Sequence, residues 1–373
     1  MKLGKKIVVM VLAAATAVSM TACGARGGSG STSSAAAESG TGTSAAASSS
    51  GTVTWRIGHN NSEDHYWTVY MRKFADLVAE KSNGTIKVEV YPNSQLGDDT
   101  AMGEMIRNGN LDEMITGACV PGNWYQPMSM MEMAGLFDSS EHVERAIYGK
   151  PGEIMKKGCA DAGIMLWDNW MRTTWEFMST KPINSLADFK GLKTRVTSND
   201  VWVAHMEGTY GIDATPMAFS EVFTSLQQGV VNAVLNPISS MYTMRFHELC
   251  NYLILTESNY DFASVLVSPQ SWSKLTADQQ KIMQECEDTI REEVNEYIKT
   301  EDETYIAKMK DENPKLQVIT LDSEEIKKAG RAIAPKICAM NGGQELYDAI
   351  RACGDDAQGS STESSSETES ASK

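Results

Sequence analysis

Several features are scarce in this sequence, and each scarcity excludes something. None of its seven cysteines forms a Cys-x-x-Cys pair, which argues against a zinc ribbon. The five histidines, His59, His65, His142, His205 and His247, fall at no metal-ligand spacing, and His247-Glu248 lacks the second histidine of a zincin. No Gly-x-Ser-x-Gly elbow or phosphate-binding glycine loop occurs, which weighs against a hydrolase. The one early apolar run, Ile7 to Ala15, is too short for a stable membrane span. Positive charge is scarce as well. With 33 Lys and Arg against 49 Asp and Glu the formal charge is −16, so the basic footprint of a nucleic-acid-binding protein is missing. The sequence therefore predicts no enzyme, no cofactor, no metal and no nucleic-acid partner.

The ends of the chain are not core. Residues 1–22 read as a secretory signal, with Lys2, Lys5 and Lys6 as the basic start and Thr21-Ala22-Cys23 as a small-residue cleavage site. The placement of Cys23 resembles a bacterial lipobox, although Met20 stands where leucine is usual. That implies a diacylglyceryl anchor on Cys23 and an extracytoplasmic protein held at the cell membrane. The rest of the segment 23–51 is almost entirely Gly, Ser, Thr and Ala, a flexible linker, and 354–373 is an acidic, Ser-rich, disordered tail. Removing the three signal lysines takes the charge from −16 to −19. A bound anion must then be held by local positive groups against an unfavourable field. The six remaining cysteines leave disulfides and buried free thiols equally open.

Between these ends the pattern predicts an α/β fold. Val53, Trp55 and Ile57 alternate as a strand that ends at Gly58-His59-Asn60, and Tyr66, Trp67, Tyr70, Phe74, Leu77 and Val78 share one helical face. Asn83-Gly84 stops that helix, Ile86 to Val90 is a strand, Gly97 opens a helix to Arg107, and Leu111 to Thr116 is a third strand. This β-α-β-α-β order predicts parallel pairing. Pro121 to Met133 reads as an irregular packed loop, and Ala160–Trp167 and Thr174–Ser179 as strands flanking a crossing at Asn169–Arg172. Ser185 and Ser220 are expected to cap short helices, and Val231–Leu235 is a strand delivering Asn236-Pro237. One helix runs from Ala277 to about Glu312, opened by a Thr276/Gln279 capping box and long enough to span two lobes. The expected lobes are 53–168 with 262–300, and 169–261 with 301–353. Trp67, Trp124, Trp175 and Trp202 are read as core.

The stretch Gly191-Leu192-Lys193-Thr194-Arg195-Val196 places a guanidinium at the end of a short strand, and ligands of open α/β sheets sit beyond the carboxyl ends of strands. Arginine offers a planar fork that fits a carboxylate bidentately. His59, Asn60 and Thr116 end strands of the first lobe, Asn236 ends one of the second, and Arg172 lies at the crossing. Together they describe a cleft with two arginines that lack a fixed acidic partner, which a ligand carboxylate would supply.

From about Thr54 to Gln280 the chain resembles the solute-binding proteins of TRAP transporters, of the C4-dicarboxylate and sialic-acid type. The resemblance is carried by Phe74–Val78 with Asn83-Gly84, by Tyr91-Pro92-Asn93-Ser94-Gln95-Leu96-Gly97, by Gly191–Val196, and by Phe219-Ser220-Glu221-Val222-Phe223 through Asn232 to Asn236-Pro237. It implies a two-lobed periplasmic-binding-protein-like fold with a helix bridging the lobes, hinge closure, and a membrane partner coupled to a sodium gradient. It also implies that Arg195 binds the ligand carboxylate, with Arg172, Asn236 and Glu221 in matching blocks. Asn232 and Leu235 depart from the usual Asp and Glu or Gln, and Met131–Phe137 replaces a Leu-Pro-Phe type run. The expected protein is a monomeric receptor for a dicarboxylate, a uronic or aldonic acid, or a keto acid. The alternatives are a secreted α/β hydrolase and a ligand sensor docking on a signalling receptor.

If Cys23 carries lipid, Cys23→Ser protein is expected in the culture medium and not in the membrane fraction. Equal membrane retention of the two forms, read by immunoblot after fractionation, overturns the anchor.

Overall fold

Alternating apolar residues build the first sheet. In the computed structural model, which describes residues 52–354, strands β1 (Val53–Gly58), β2 (Ile86–Tyr91), β3 (Glu113–Gly117) and β4 (Met165–Met171) are joined by β10 (Phe262–Val267) in the order β2-β1-β3-β10-β4. The signal, the linker with Cys23, and the tail lie outside the described residues. The second sheet has the order β11-β9-β5-β8-β6-β7, from β5 (Trp175–Ser179), β6 (Lys193–Val196), β7 (Asp213–Pro216), β8 (Ala233–Pro237), β9 (Tyr252–Asn259) and β11 (Gln317–Thr320). β1 pairs in parallel with β2 and β3, as the β-α-β-α-β order requires. β10 and β5 run antiparallel to their neighbours, because each enters its sheet directly from the other lobe.

Local rules account for the helices on these sheets. Helix α1 (Tyr66–Lys81) buries Trp67, Met71, Phe74 and Val78 on one face. It ends where Asn83 and Gly84 take positive φ of 50° and 76°. Helix α2 (Asp99–Arg107) is opened by the Asp98 side chain, which accepts from Ala101 N at 2.8 Å. Helix α9 (Ala277–Tyr297) carries both halves of the Thr276/Gln279 capping box and buries Met283, Cys286, Ile290 and Val294 in the core under β1 and β4.

Four expectations are corrected. The Ala277–Glu312 helix is broken by a 3₁₀ turn at Ile298–Thr300, and a separate helix α10 (Glu301–Glu312) follows. The break falls where the chain passes from one lobe to the other. Residues 160 and 161 end helix α4 (Lys150–Asp161), which follows α3 (Ser140–Tyr148), and the strand begins only at Met165. Ser185 and Ser220 make no side-chain cap. The last helix, α12 (Gln344–Arg351), does not join the second lobe, because Leu346 and Ile350 are buried with Val143, Ile147 and Cys159 of the first.

The chain crosses between lobes at 172–174, at 260–261, at the 3₁₀ turn 298–300, and again along the helix Ser323–Asn341, whose Ile326 packs with the second lobe and whose Ala334 and Ile337 pack with the first. The six cysteines of the described residues are all free thiols, and Cys119, Cys159, Cys250, Cys286 and Cys338 are buried.

The core also holds carboxyls without a countercharge. Trp55 Nε1 donates to Glu113 Oε2 and Trp170 Nε1 to Glu287 Oε1, each at 2.7 Å. Burial pushes Glu113 up to about 8, lifts Glu287 well above the carboxylate range, and raises Glu301 to about 8. An acid whose folded pKa is raised keeps its proton in the fold while the unfolded chain releases it, so stability falls as pH rises towards the folded value. Buried His59 and His205, both pulled down to about 3, act in the opposite sense only below their ordinary 6.5. The melting temperature is therefore expected to fall from pH 6.5 to pH 8, with a shallower slope in Glu113→Gln and Glu287→Gln. A flat or rising profile across that window overturns this account.

Candidate functional site

Arg195 is the third residue of β6, launched from a turn in which Gly191 takes φ +70° and donates to Gly211 O at 2.8 Å. The register sets Arg195 between Thr215 of β7 and Val234 of β8. Its side chain is 4% exposed, yet every acceptor it reaches is neutral. Nε and Nη2 donate to Met217 O at 3.3 and 3.1 Å, and Nη1 donates to Asn236 Oδ1 at 3.3 Å. The Phe219 ring lies 5.5 Å from the guanidinium carbon. Burial pulls the Arg195 pKa down to about 10, with Asp99 the main charge acting against that. A guanidinium so placed has desolvation without an ion pair to offset it, and an anion is the natural complement.

Arg172 is different. Its Nη1 donates to Asp261 Oδ2 at 2.7 Å with both side chains buried, and Trp175 Nε1 donates to the same oxygen at 2.5 Å. The rings of Trp67 and Trp175 lie 5.0 and 5.6 Å from its guanidinium carbon. The expectation of two arginines without a fixed acid thus holds for Arg195 and is corrected for Arg172.

Around these two arginines lies a cleft between the lobes. Asn60, Asn61, Trp67, Asp99, Glu132, Trp175, Phe219, Asn236 and Ser240 complete its wall. Its cavity measures only about 30 Å³, space for a water or two, so the lobes stand closed on each other. A much larger cavity, about 670 Å³, opens on the other side of Arg172. Glu141, Glu144, Glu257, Glu292, Glu296 and Glu303 line it, which suits no anion, and the crossings at 172–174, 260–261 and 298–300 border it. The small cleft is the candidate site because the buried, neutral-partnered arginine faces it.

The remaining expected residues divide. Asn60 and Asn236 line the cleft. Thr116 does not; it donates to Asp99 Oδ1 at 2.7 Å, while Asn60 Nδ2 donates to Asp99 Oδ2 at 2.7 Å. His59 is corrected: it is fully buried inside the first lobe against Trp67 and 3.3 Å from Thr68 Oγ1. Glu221 is also corrected, being exposed beside the start of α6 (Val222–Gln227) and not on the cleft wall. Trp67 and Trp175 are buried, as core residues are, but they also face the cleft.

Two further acids escaped the sequence reading. Asp99 begins α2, and burial raises its pKa. Glu132 lies on the irregular stretch after β3; Cys119 N donates to its Oε1 at 3.2 Å, and Asn259 Nδ2 donates to its backbone oxygen at 2.8 Å. Burial and neighbouring Asp261 push Glu132 up to about 8. Only the departure of Met131–Phe137 from the usual run hinted at it. His65 was also missed: its Nδ1 accepts from Trp67 N at 3.2 Å, so its Nε2 carries the proton toward Ser240 Oγ across the cleft at 3.2 Å.

Residues 57–341 match the family described as bacterial extracellular solute-binding protein, family 7. The chain belongs to this family. A solute-binding protein of Roseobacter denitrificans is 31% identical over 245 residues, covering 64% of this chain and 74% of that one. The sialic acid-binding periplasmic protein SiaP of Vibrio cholerae is 28% identical over 286 residues, covering 72% and 87%. A crystal structure of a TRAP periplasmic solute-binding protein from Sulfurospirillum deleyianum, with bound succinate, superposes at a TM-score of 0.76 with 26% identity, over 81% of this chain and 99% of that one. This family 7 chain is thus an extracytoplasmic, two-lobed α/β receptor serving a TRAP transporter, and it is not an enzyme.

In the family 7 cleft Arg195→Ala is expected to weaken binding of a cognate acid by about 2–5 kcal/mol, the usual cost of truncating one partner of a buried charge pair. Arg195→Lys keeps the charge but not the fork and is expected to lose a substantial part of the affinity. The unliganded melting temperature should hold or rise in Arg195→Ala. Calorimetry and melting on the three proteins decide it; full affinity in Arg195→Lys excludes bidentate binding.

Proposed function

We propose that the chain is held to the cell membrane by lipid on Cys23 and acts there as a monomer. It closes on a small organic acid and hands it to the membrane subunits of its transporter. Arg195 grips the carboxylate, Asn236 holds the Arg195 fork in plane, and Arg172 with Asp261 forms the back wall. The carrying observation is the buried Arg195 guanidinium whose partners are a backbone carbonyl and an amide. The bound succinate of the Sulfurospirillum structure and the sialic acid of the SiaP name both carry a carboxylate, which supports the same reading.

A ligand that contacts both lobes favours the closed form by its differential contacts. Binding only to the folded state raises stability by about 2.7 kcal/mol at a hundred times the dissociation constant. A thermal-shift screen of mono- and dicarboxylic acids is expected to raise the melting temperature for at least one class. Small-angle scattering with that acid is expected to give a smaller radius of gyration than without it. No shift with any acid at millimolar concentration sinks the reading, and an unchanged radius at saturation sinks the hinge.

A further inference from the structure

Two helix-capping side chains, one on each lobe, also reach the opposite lobe. His65 is the N-cap of α1, and its Nδ1 accepts from Trp67 N at 3.2 Å. A backbone N–H can only donate, so the single proton of the neutral ring sits on Nε2, 3.2 Å from Ser240 Oγ of the second lobe. Burial, with Arg172 nearby, holds the His65 pKa well below its ordinary 6.5 and keeps the ring neutral. His65 and Ser240 are both buried.

Asn199 is the N-cap of α5 (Asp200–Tyr210) in the second lobe. Its Oδ1 accepts from Val201 N at 3.0 Å and from Trp202 N at 3.1 Å. That turns Nδ2 away from the helix, and it donates to Asn123 Oδ1 of the first lobe at 3.3 Å. This second contact is open to solvent.

The two contacts share one construction. The atom facing the helix has to accept, the atom facing the other lobe donates, and an oxygen waits across the gap. Neither can be reversed without giving up the cap. Histidine at the start of α1 is informative in this respect. Ser, Asn or Asp are the usual caps, but only the imidazole carries its donor on the far edge of a ring, within reach of Ser240. Neither contact needs an atom of a solute.

We propose that His65 and Asn199 are latches, positioning residues that favour the closed form on their own account. The cleft is then partly preformed, and a solute has less of the closing left to drive. The inference rests on the reading that the lobes part and close. When they part, water replaces each partner, so the effect is modest. The buried His65–Ser240 contact is expected to raise the ratio of closed to open form about three- to tenfold, and the exposed Asn123–Asn199 contact about twofold or less.

The test is small-angle scattering of the mature protein with no acid added. Ser240→Ala is expected to enlarge the radius of gyration. So is His65→Asn, which keeps an acceptor for Trp67 N but lacks the reach. The double variant is expected to enlarge it no further than the larger single one, because both changes remove one contact. Asn199→Asp keeps the cap, loses the donor and is expected to act more weakly in the same direction. The melting temperature of His65→Asn is expected to stay near that of the parent, whereas a merely structural role would lower it and leave the radius alone. Nitrogen NMR of the parent is expected to show the Nε2–H tautomer of His65. The Nδ1–H tautomer overturns the latch even if a variant does not fold. Unchanged radii in both Ser240→Ala and His65→Asn also overturn it. Contraction of the parent with succinate or D-galactonate then leaves the receptor reading intact, and an unchanged parent sinks the hinge along with the latch.

Discussion

The buried ion pair between Arg172 and Asp261 is the constraint around which the two lobes are arranged. Its two residues sit on two different crossings of the chain, at the end of β4 and at the start of β10, where Met171 and Phe262 are register partners. Each charge is removed from water, and each would be costly alone. Trp175, the first residue of the second sheet, donates to the same carboxylate oxygen, so the pair ties the root of both sheets to one point. Arg172 thereby becomes a fixed part of the frame. The charge recognition left to the cleft falls to Arg195, whose own partners are neutral.

Three of the crossings, at 172–174, 260–261 and 298–300, meet beside a wide, acidic cavity on the far side of that pair, while the cleft on the near side is almost filled. Packed interiors resist gradual deformation, whereas a segment bordered by open space can turn. The break between α9 and α10 at residues 298–300 lies on the same border, so that helix pair does not brace the lobes rigidly against each other, and the unbroken helix Ser323–Asn341 carries the continuous connection. A wedge of empty volume at the back and a tight seam at the front suit a body that opens about its crossings.

Much of this was readable from residue pattern. The Thr276/Gln279 capping box is purely local, as is the helical stripe of α1, and both are present as read. Arg195 and Asn236 could be placed because strand ends follow from turn glycines and from Asn-Pro. What could not be read depends on contacts across the chain. Asp261 lies 89 positions from Arg172 in sequence, and nothing local pairs them. Glu132 sits in a segment without periodicity, so its burial is decided by Cys119 and by Asn259 of the other lobe. His59 ends a strand as expected, but its ring turns inward because Thr68 and Trp67 of α1 cover it. The break at Ile298–Thr300 carries no glycine or proline, so the sequence there reads as unbroken helix.

The narrowness of the closed cleft has a kinetic side. A space of about 30 Å³ is smaller than an organic acid, so in the proposed receptor the lobes must part to admit or release one. Dissociation must then wait for the lobes to part, and the residence time of a bound solute is limited by how often the hinge swings. Strengthening a contact inside the cleft lengthens the stay only in so far as it also steadies the closed form. A membrane partner that grips the lobes while they are apart could therefore empty the receptor quickly without touching a single group that binds the solute.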